Sequence, residues 1–257
     1  MNPLERKEKI LELLKTQEQV SVKELSTMFG TSEVTLRADL KPLEKQGRLK
    51  RFFGGAQSMN SLPLTQSDDE IQLDNRFDMN KDSKNRISRT AADLVSKGDS
   101  IIIDSGSTTH LVAEQLASEG GYTIITNNLA ASVVLMDASD TTLVLVGGTY
   151  REKTKSLHGY QAEQCLSGVQ ADVLFVGADG IDPDKGITTF NEGYAITDVM
   201  AKCVQKVIAV VDSSKLGRIG FNKVLDVSRI DTLVIDNGIT PEMKRRFEAV
   251  GVKVIVV

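Results

Sequence analysis

Seven apolar runs of strand length punctuate the second half of the chain: Ser100–Ile103, Tyr122–Ile125, Leu143–Val146, Val173–Val176, Val207–Val211, Thr232–Ile235 and Lys253–Val256. Helical spacing of apolar residues follows most of them, at 108–118, 129–137, 160–168, 191–205 and 241–249. Unbroken apolar strands are those buried on both faces, and their alternation with helices predicts an α/β domain built on a parallel sheet. Ligands of such sheets sit outside the carboxyl ends of the strands. The loops at those ends are therefore the candidate site.

The first loop is the most telling. Ile101-Ile102-Ile103 runs into Asp104, Ser105, Gly106, Ser107, Thr108 and Thr109, and then Leu111, Val112, Gln115 and Leu116 resume helical spacing. A strand, a hydroxyl-rich loop and a helix start bring N–H groups, hydroxyls and a positive dipole end to one point, as a phosphate requires. Later strands end in Thr126-Asn127-Asn128, Gly147-Gly148-Thr149-Tyr150-Arg151, Gly177-Ala178-Asp179-Gly180-Ile181-Asp182 and Asp212-Ser213-Ser214-Lys215, and Asn191-Glu192 precedes a helix. Arg151 and Lys215 offer cations. Asp104, Asp179, Glu192, Asn127 and Asn128 offer acceptors for hydroxyls. Asp104 would repel a phosphate and is assigned to sugar hydroxyls or to bracing the loop. The ligand class is a phosphorylated polyhydroxylic molecule.

The N-terminal residues read differently. Leu4, Ile10, Leu11, Leu13 and Leu14 form one stripe of a first helix over Pro3–Thr16, with proline suited to its first turn. Ser21-Val22-Lys23-Glu24 is a capping box opening a second helix, with Leu25, Met28 and Phe29 facing inward and Gly30 ending it. Ser32 caps a third helix, whose core face is expected to be Val34, Leu36, Leu40 and Leu43, with Gly47 as its stop. Two helices joined so tightly make a helix-turn-helix. Arg48 to Phe53 before Gly54-Gly55 predicts a basic hairpin, or wing. Candidate DNA-contacting residues are Ser21, Thr31, Ser32, Glu33, Thr35, Arg37 and Lys41, with Lys50 and Arg51 on the wing. Pro42 falls inside the third helix, where proline removes a hydrogen bond, so a kink or an early end is expected there.

Charge supports a division of labour. Residues 1–58 carry 11 Lys+Arg against 8 Asp+Glu, leaving 20 against 27 for the remainder of the 31 and 35 in the chain. A weakly basic head on an acidic body suits a nucleic-acid module joined to another function. The expected domains are 1–58, a polar linker over 59–82 that has room for a helical segment before the second domain, and 83–257. Cys165 and Cys203 show no metal spacing and read as two reduced core thiols, and two histidines exclude a multi-histidine metal site. No metal or cofactor is expected. Met1 to Lys9 lacks a signal-peptide core, and no apolar run approaches a membrane span. The expected location is the cytoplasm, without membrane contact.

TSEVTLRADLKPLEKQGRLKRFFGG (31–55), with DSGSTT, TNN, GGTYR, GADGID and DSSK in order, resembles the DeoR family of bacterial sugar-operon repressors over nearly the whole chain. The resemblance implies a winged helix-turn-helix on double-stranded operator DNA, and a C-terminal domain similar in fold to sugar-phosphate isomerases. It also implies release by a phosphorylated sugar or polyol. GITTFNEGY (186–194), KVIAVVDSSK (206–215) and GFNKVL (220–225) look closest to the branch governing galactitol, glucitol and galactosamine operons, which implies a galactitol- or tagatose-type phosphate. Ala38 stands where the wider family has a second arginine, and Phe53 where it has a histidine. The expected protein is a non-enzymatic repressor acting as a homo-oligomer, a dimer or tetramer. The alternatives are a sugar-phosphate isomerase or deaminase using Asp179, Asp182, Glu192 and Lys215, with an appended DNA-binding domain, and a transcriptional activator.

Overall fold

The computed structural model describes residues 3–16, 19–45, 49–52, 55–58, 72–190, 196–220 and 222–257. They fall into two compact units, 1–66 and 67–257.

In the first unit, helices α1 (Pro3–Thr16), α2 (Val22–Phe29) and α3 (Glu33–Lys45) accompany strands β1 (Gln19–Ser21), β2 (Leu49–Phe52) and β3 (Gly55–Ser58). The strands form an antiparallel sheet in the order β1-β3-β2. Ile10, Leu14, Leu25, Leu36, Leu40, Leu43 and Leu49 bury one small core. Arg6 on α1 donates to Asp39 on α3 at 2.5 Å, both buried, so a charged tie crosses the edge of that core. Two expectations are corrected. Val34 is 73% exposed and Met28 56% exposed, so neither supplies core. Val34 lies about 200° around the helix from Leu36, at about 100° per residue, which turns it outward. Nor does α3 end at Pro42, because it continues to Lys45. The expected helix stop Gly47, Arg48 and the wing tip at Phe53-Gly54 lie outside the described residues.

The second unit opens with α4 (Leu73–Asp78) and α5 (Lys81–Ala92). The expected linker reached residue 82, but α4 is docked by the buried Leu73 and by Phe77, whose ring meets His110 edge-on at 4.9 Å. Then follow β4 (Ser100–Ile103), α6 (Ser107–Glu119), β5 (Thr123–Thr126), α7 (Leu129–Leu135) and β6 (Thr142–Leu145). A hairpin of β7 (Thr149–Arg151) and β8 (Ser156–His158) leads to α8 (Tyr160–Cys165) and β9 (Ala171–Val176). After β10 (Gly180–Asp182), β11 (Gly186–Thr189) and α9 (Thr197–Lys202) come β12 (Val204–Val210), β13 (Asn222–Leu225), β14 (Thr232–Ile235), α10 (Pro241–Ala249) and β15 (Lys253–Val256).

Seven strands form one parallel sheet in the order β15-β14-β12-β9-β4-β5-β6. They are the seven apolar runs of the sequence. Alternate side chains serve opposite faces. Ile101, Ile103, Phe175 and Val210 pack with α5, α6 and α7, while Ile102, Leu174, Ala209 and Leu233 pack with α8, α9 and α10. The chain order reverses between β4 and β9, which opens a crevice at their carboxyl ends. A separate antiparallel sheet, β10-β11-β13, stands beside that crevice. The helix expected over 191–205 is shorter, because β12 begins at Val204. Cys165 is exposed on α8 rather than a core thiol.

Candidate anion-binding cleft and nucleic-acid interface

A cleft lies at the reversal point, lined from β4, β9 and β12 and walled by α4, α5 and the β11 strand. Its floor is the loop from Asp104 to Thr108. Gly106 adopts φ 148°, and a Cβ there would crowd the Thr109 hydroxyl at 3.1 Å, so glycine lets the chain turn straight into α6. Thr109 donates to the Gly106 carbonyl at 3.0 Å and holds the turn from behind. Ser107 and Thr108 line the cleft in the first turn of α6, where helix N–H groups are open.

Asp104 does not face an incoming anion freely. Its carboxylate accepts from the Ser105 N–H and from the Thr197 hydroxyl, each at 2.6 Å. Burial raises its pKa, and the Thr197 and Ser105 hydrogen bonds and nearby His158 counter that rise. Asp179 is ion-paired with Arg76 of α4 and accepts from the Thr189 hydroxyl at 2.7 Å. Asp212 accepts from the Asn80 amide at 2.8 Å.

The positive side of the cleft comes from three chain segments. Lys84 of α5 is 3% exposed and donates to the Arg76 carbonyl at 2.6 Å. Burial lowers it to about 8, with Asp212 pulling it up and Lys215 and Arg76 pushing it down. Lys215, in the turn after β12, is likewise lowered to about 8, by burial first and Arg76 second, against the pull of Asp212. Both ammonium groups line the same cleft as the α6 N-terminus.

Of the effector candidates, Asp104, Ser105, Gly106, Ser107, Thr108, Asp179 and Lys215 line this cleft. Thr109, Asn127 and Asn128 are buried supports: Asn127 donates to the Leu157 carbonyl, and Asn128 caps α7 and donates to the Gly106 carbonyl. Gly148 and Gly180 serve close packing, since a Cβ would strike the carbonyls of His158 and Arg218. Gly147 and Arg151 are not among the lining residues. Glu192 lies outside the described residues. Sequence reasoning missed Arg76, Lys84, Thr154, His158 and Thr197. Lys84 alone carried a signal, since Ile87 and Ala91 place it one turn earlier on the inward stripe of α5. Among the described residues no group of three or more His, Cys, Asp or Glu could hold a metal ion, and no helix is long and apolar enough to cross a membrane.

In the first unit, α2 and α3 meet at Gly30, φ 60°. Ser21 is spent on its capping box with Glu24, and Thr31 donates to the Phe29 carbonyl at 3.2 Å. The Ser32 hydroxyl accepts from the Thr35 N–H at 3.3 Å and caps α3. Arg37 pairs with Glu33 at 2.6 Å on the exposed side, and Lys41 is exposed beyond them. Lys50 and Arg51 lie on β2, and their side chains fall outside the described residues.

Residues 6–62 match a DeoR-like helix-turn-helix domain and residues 79–237 a DeoR C-terminal sensor domain. The chain is 35% identical to a putative aga operon transcriptional repressor of Escherichia coli O157:H7, over 98% of this chain and 93% of that one. The chain belongs to the DeoR family. Other DeoR-type relatives are the regulators GlpR of Haloferax volcanii, 33% identical over 99% of this chain and 98% of that one, and GolR of Listeria innocua, 30% identical over 99% and 98%. Ribose 5-phosphate isomerase A of Methanocaldococcus jannaschii shares 21% identity over 53% of this chain and 55% of that one, with a TM-score of 0.39, too slight a likeness to bear on activity. This DeoR protein is a DNA-binding transcriptional repressor. Its sensor match begins at Met79, so α4 and Arg76 stand just before it.

Proposed function

We propose that this DeoR protein represses a sugar or sugar-alcohol catabolic operon and leaves its operator when a phosphorylated sugar or polyol fills the cleft. A galactitol- or tagatose-type phosphate is the first candidate, in keeping with the relatives named for the aga operon and GolR. The observation that carries the reading is the pair of lysines lining the cleft, buried Lys84 and half-buried Lys215, beside the opening turn of α6. Ammonium groups whose pKa is lowered by burial gain most from an added anion. Asp179, Thr188 and Thr189 supply partners for hydroxyls.

Arg76, Asn80 and Lys84 come from the segment that directly follows the DNA-binding unit in sequence. An anion that draws on Arg76 competes with Asp179 for it, and so acts on α4. The ligand must favour a DNA-incompetent arrangement, because equal affinity for both states shifts nothing. The chain acts in the cytoplasm as at least a dimer held through its sensor domain, pairing two winged helices on one operator.

Thermal unfolding of the full chain against a panel of hexitol, ketose and amino-sugar phosphates tests the site. Ligand at 100 times Kd stabilises by about 2.7 kcal/mol. Ser107→Asp places a carboxylate where the phosphate sits, so mobility shifts should show DNA still bound and no release by any phosphate that releases the wild type. Release at the wild-type concentration would place the phosphate elsewhere.

A further inference from the structure

The outward arc of α3 has an apolar centre. Leu36, Leu40 and Leu43 are buried, and Asp39 is held by Arg6. At about 100° per residue, the side opposite those leucines falls on Val34, Ala38 and Lys41. Val34 is 73% exposed, and Ala38 is exposed one turn further on. A single exposed valine is ordinary. This one sits in the first turn of the second helix of a helix-turn-helix, and that turn meets base edges. Nearest to Val34, the groups able to read a base by hydrogen bonding are engaged with one another, and Lys41 stands two turns further along α3. Arg37 is ion-paired with Glu33 at 2.6 Å, and the Ser32 and Thr35 hydroxyls bond each other at 2.9 Å.

We propose that Val34, with Ala38 beside it, reads the 5-methyl group of a thymine in the major groove, so that the operator carries an A·T pair facing the first turn of α3. The inference rests on the proposed binding of the winged helix-turn-helix to operator DNA, with α3 in the major groove, and adds what α3 reads there. Thymine alone among the bases presents a methyl group in the major groove, and small apolar side chains recognise it. A branched, exposed valine gains from covering that methyl as the methyl gains from being covered. Cytosine at the same place carries a hydrogen where thymine carries the methyl, so it offers Val34 no such apolar group to cover.

The full-length protein selects its operator from a randomised duplex pool. Each thymine of the selected sequence is then replaced by deoxyuridine, which keeps the pairing and removes the methyl alone. At the thymine facing Val34 the replacement should weaken binding about fourfold, the worth of one buried methyl. Val34→Ala, on an exposed face and of higher helix propensity, reaches less of the methyl and should show a smaller preference for thymine over deoxyuridine at that position. Val34→Ile should keep the preference. The proposal is overturned if no replacement weakens binding, or if Val34→Ala retains the full preference for thymine. A pool that yields no bound sequence overturns the docking of α3 and the proposal with it, a result told apart from the other two by the absence of any operator.

Discussion

Lys84 carries the cost and the purpose of the cleft in one side chain. Its ordinary pKa of 10.5 falls to about 8, and Lys215 falls equally. Between those values the unfolded chain holds protons that the folded chain has released, so folding stability rises with pH across that window and is depressed below it. A bound anion reverses the bias by favouring the charged lysines. Phosphosugar affinity should therefore be full near pH 7 and fall as pH rises through about 8. Titration calorimetry at pH values of about 7, 8 and 9, in buffers of differing ionisation enthalpy, checks this. An affinity flat across that range removes the lysines from the anion site. Lys84→Met should leave DNA binding intact while abolishing the thermal shift given by the phosphate ligand, and a shift of wild-type size would refute its role. The sequence hinted at Lys84 only by its place one turn before the inward stripe of α5; a lysine there is usually solvated, and its burial depends on the Arg76 carbonyl brought by another helix.

Among the elements, those with a strong period were legible and those shaped by neighbours were not. The seven parallel strands announced themselves as apolar runs, and helices bury both faces of the inner five, while the edge strands β6 and β15 stay partly exposed. The hairpin β7–β8 and the sheet β10-β11-β13 did not, since strands of three or four residues rich in glycine, threonine and aspartate carry no period. In α3 the identity of Val34 argued for core, while its angular position put it outside. Pro42 shows the same conflict in the backbone. Its missing N–H leaves the carbonyl of exposed Ala38 to water, which explains how α3 runs through to Lys45. Pro42→Ala restores that hydrogen bond and relieves the ring's clash, at the expense of a more flexible unfolded chain. The first unit should gain roughly 1–2 kcal/mol. Urea unfolding followed by a probe in that unit measures it, and a loss of stability would mean that the proline is better placed than its chemistry suggests.

For the whole molecule, the division into 1–66 and 67–257 separates the two kinds of chemistry. A fragment of residues 67–257 contains every lining residue of the cleft. It should keep the full thermal response to the phosphate ligand and lose operator binding. Loss of the thermal response in a folded fragment would show that sensing needs the first unit. The division that the sequence suggested, ending the linker at 82, would have cut through the site, because polar composition alone does not distinguish a linker from a short helix laid against a cleft.

That last point sets where such a regulator can be recombined. Arg76, Asn80 and Lys84 all precede the first strand of the sheet, so the proposed site begins before the α/β fold does. A chimera that joins a foreign winged helix upstream of Gln72 imports a complete sensor and should answer to the same metabolite from a new promoter. One joined at Ser100, the visible start of the fold, would carry a sheet with every strand in place but lack Arg76 and Lys84, and should respond to the ligand only weakly.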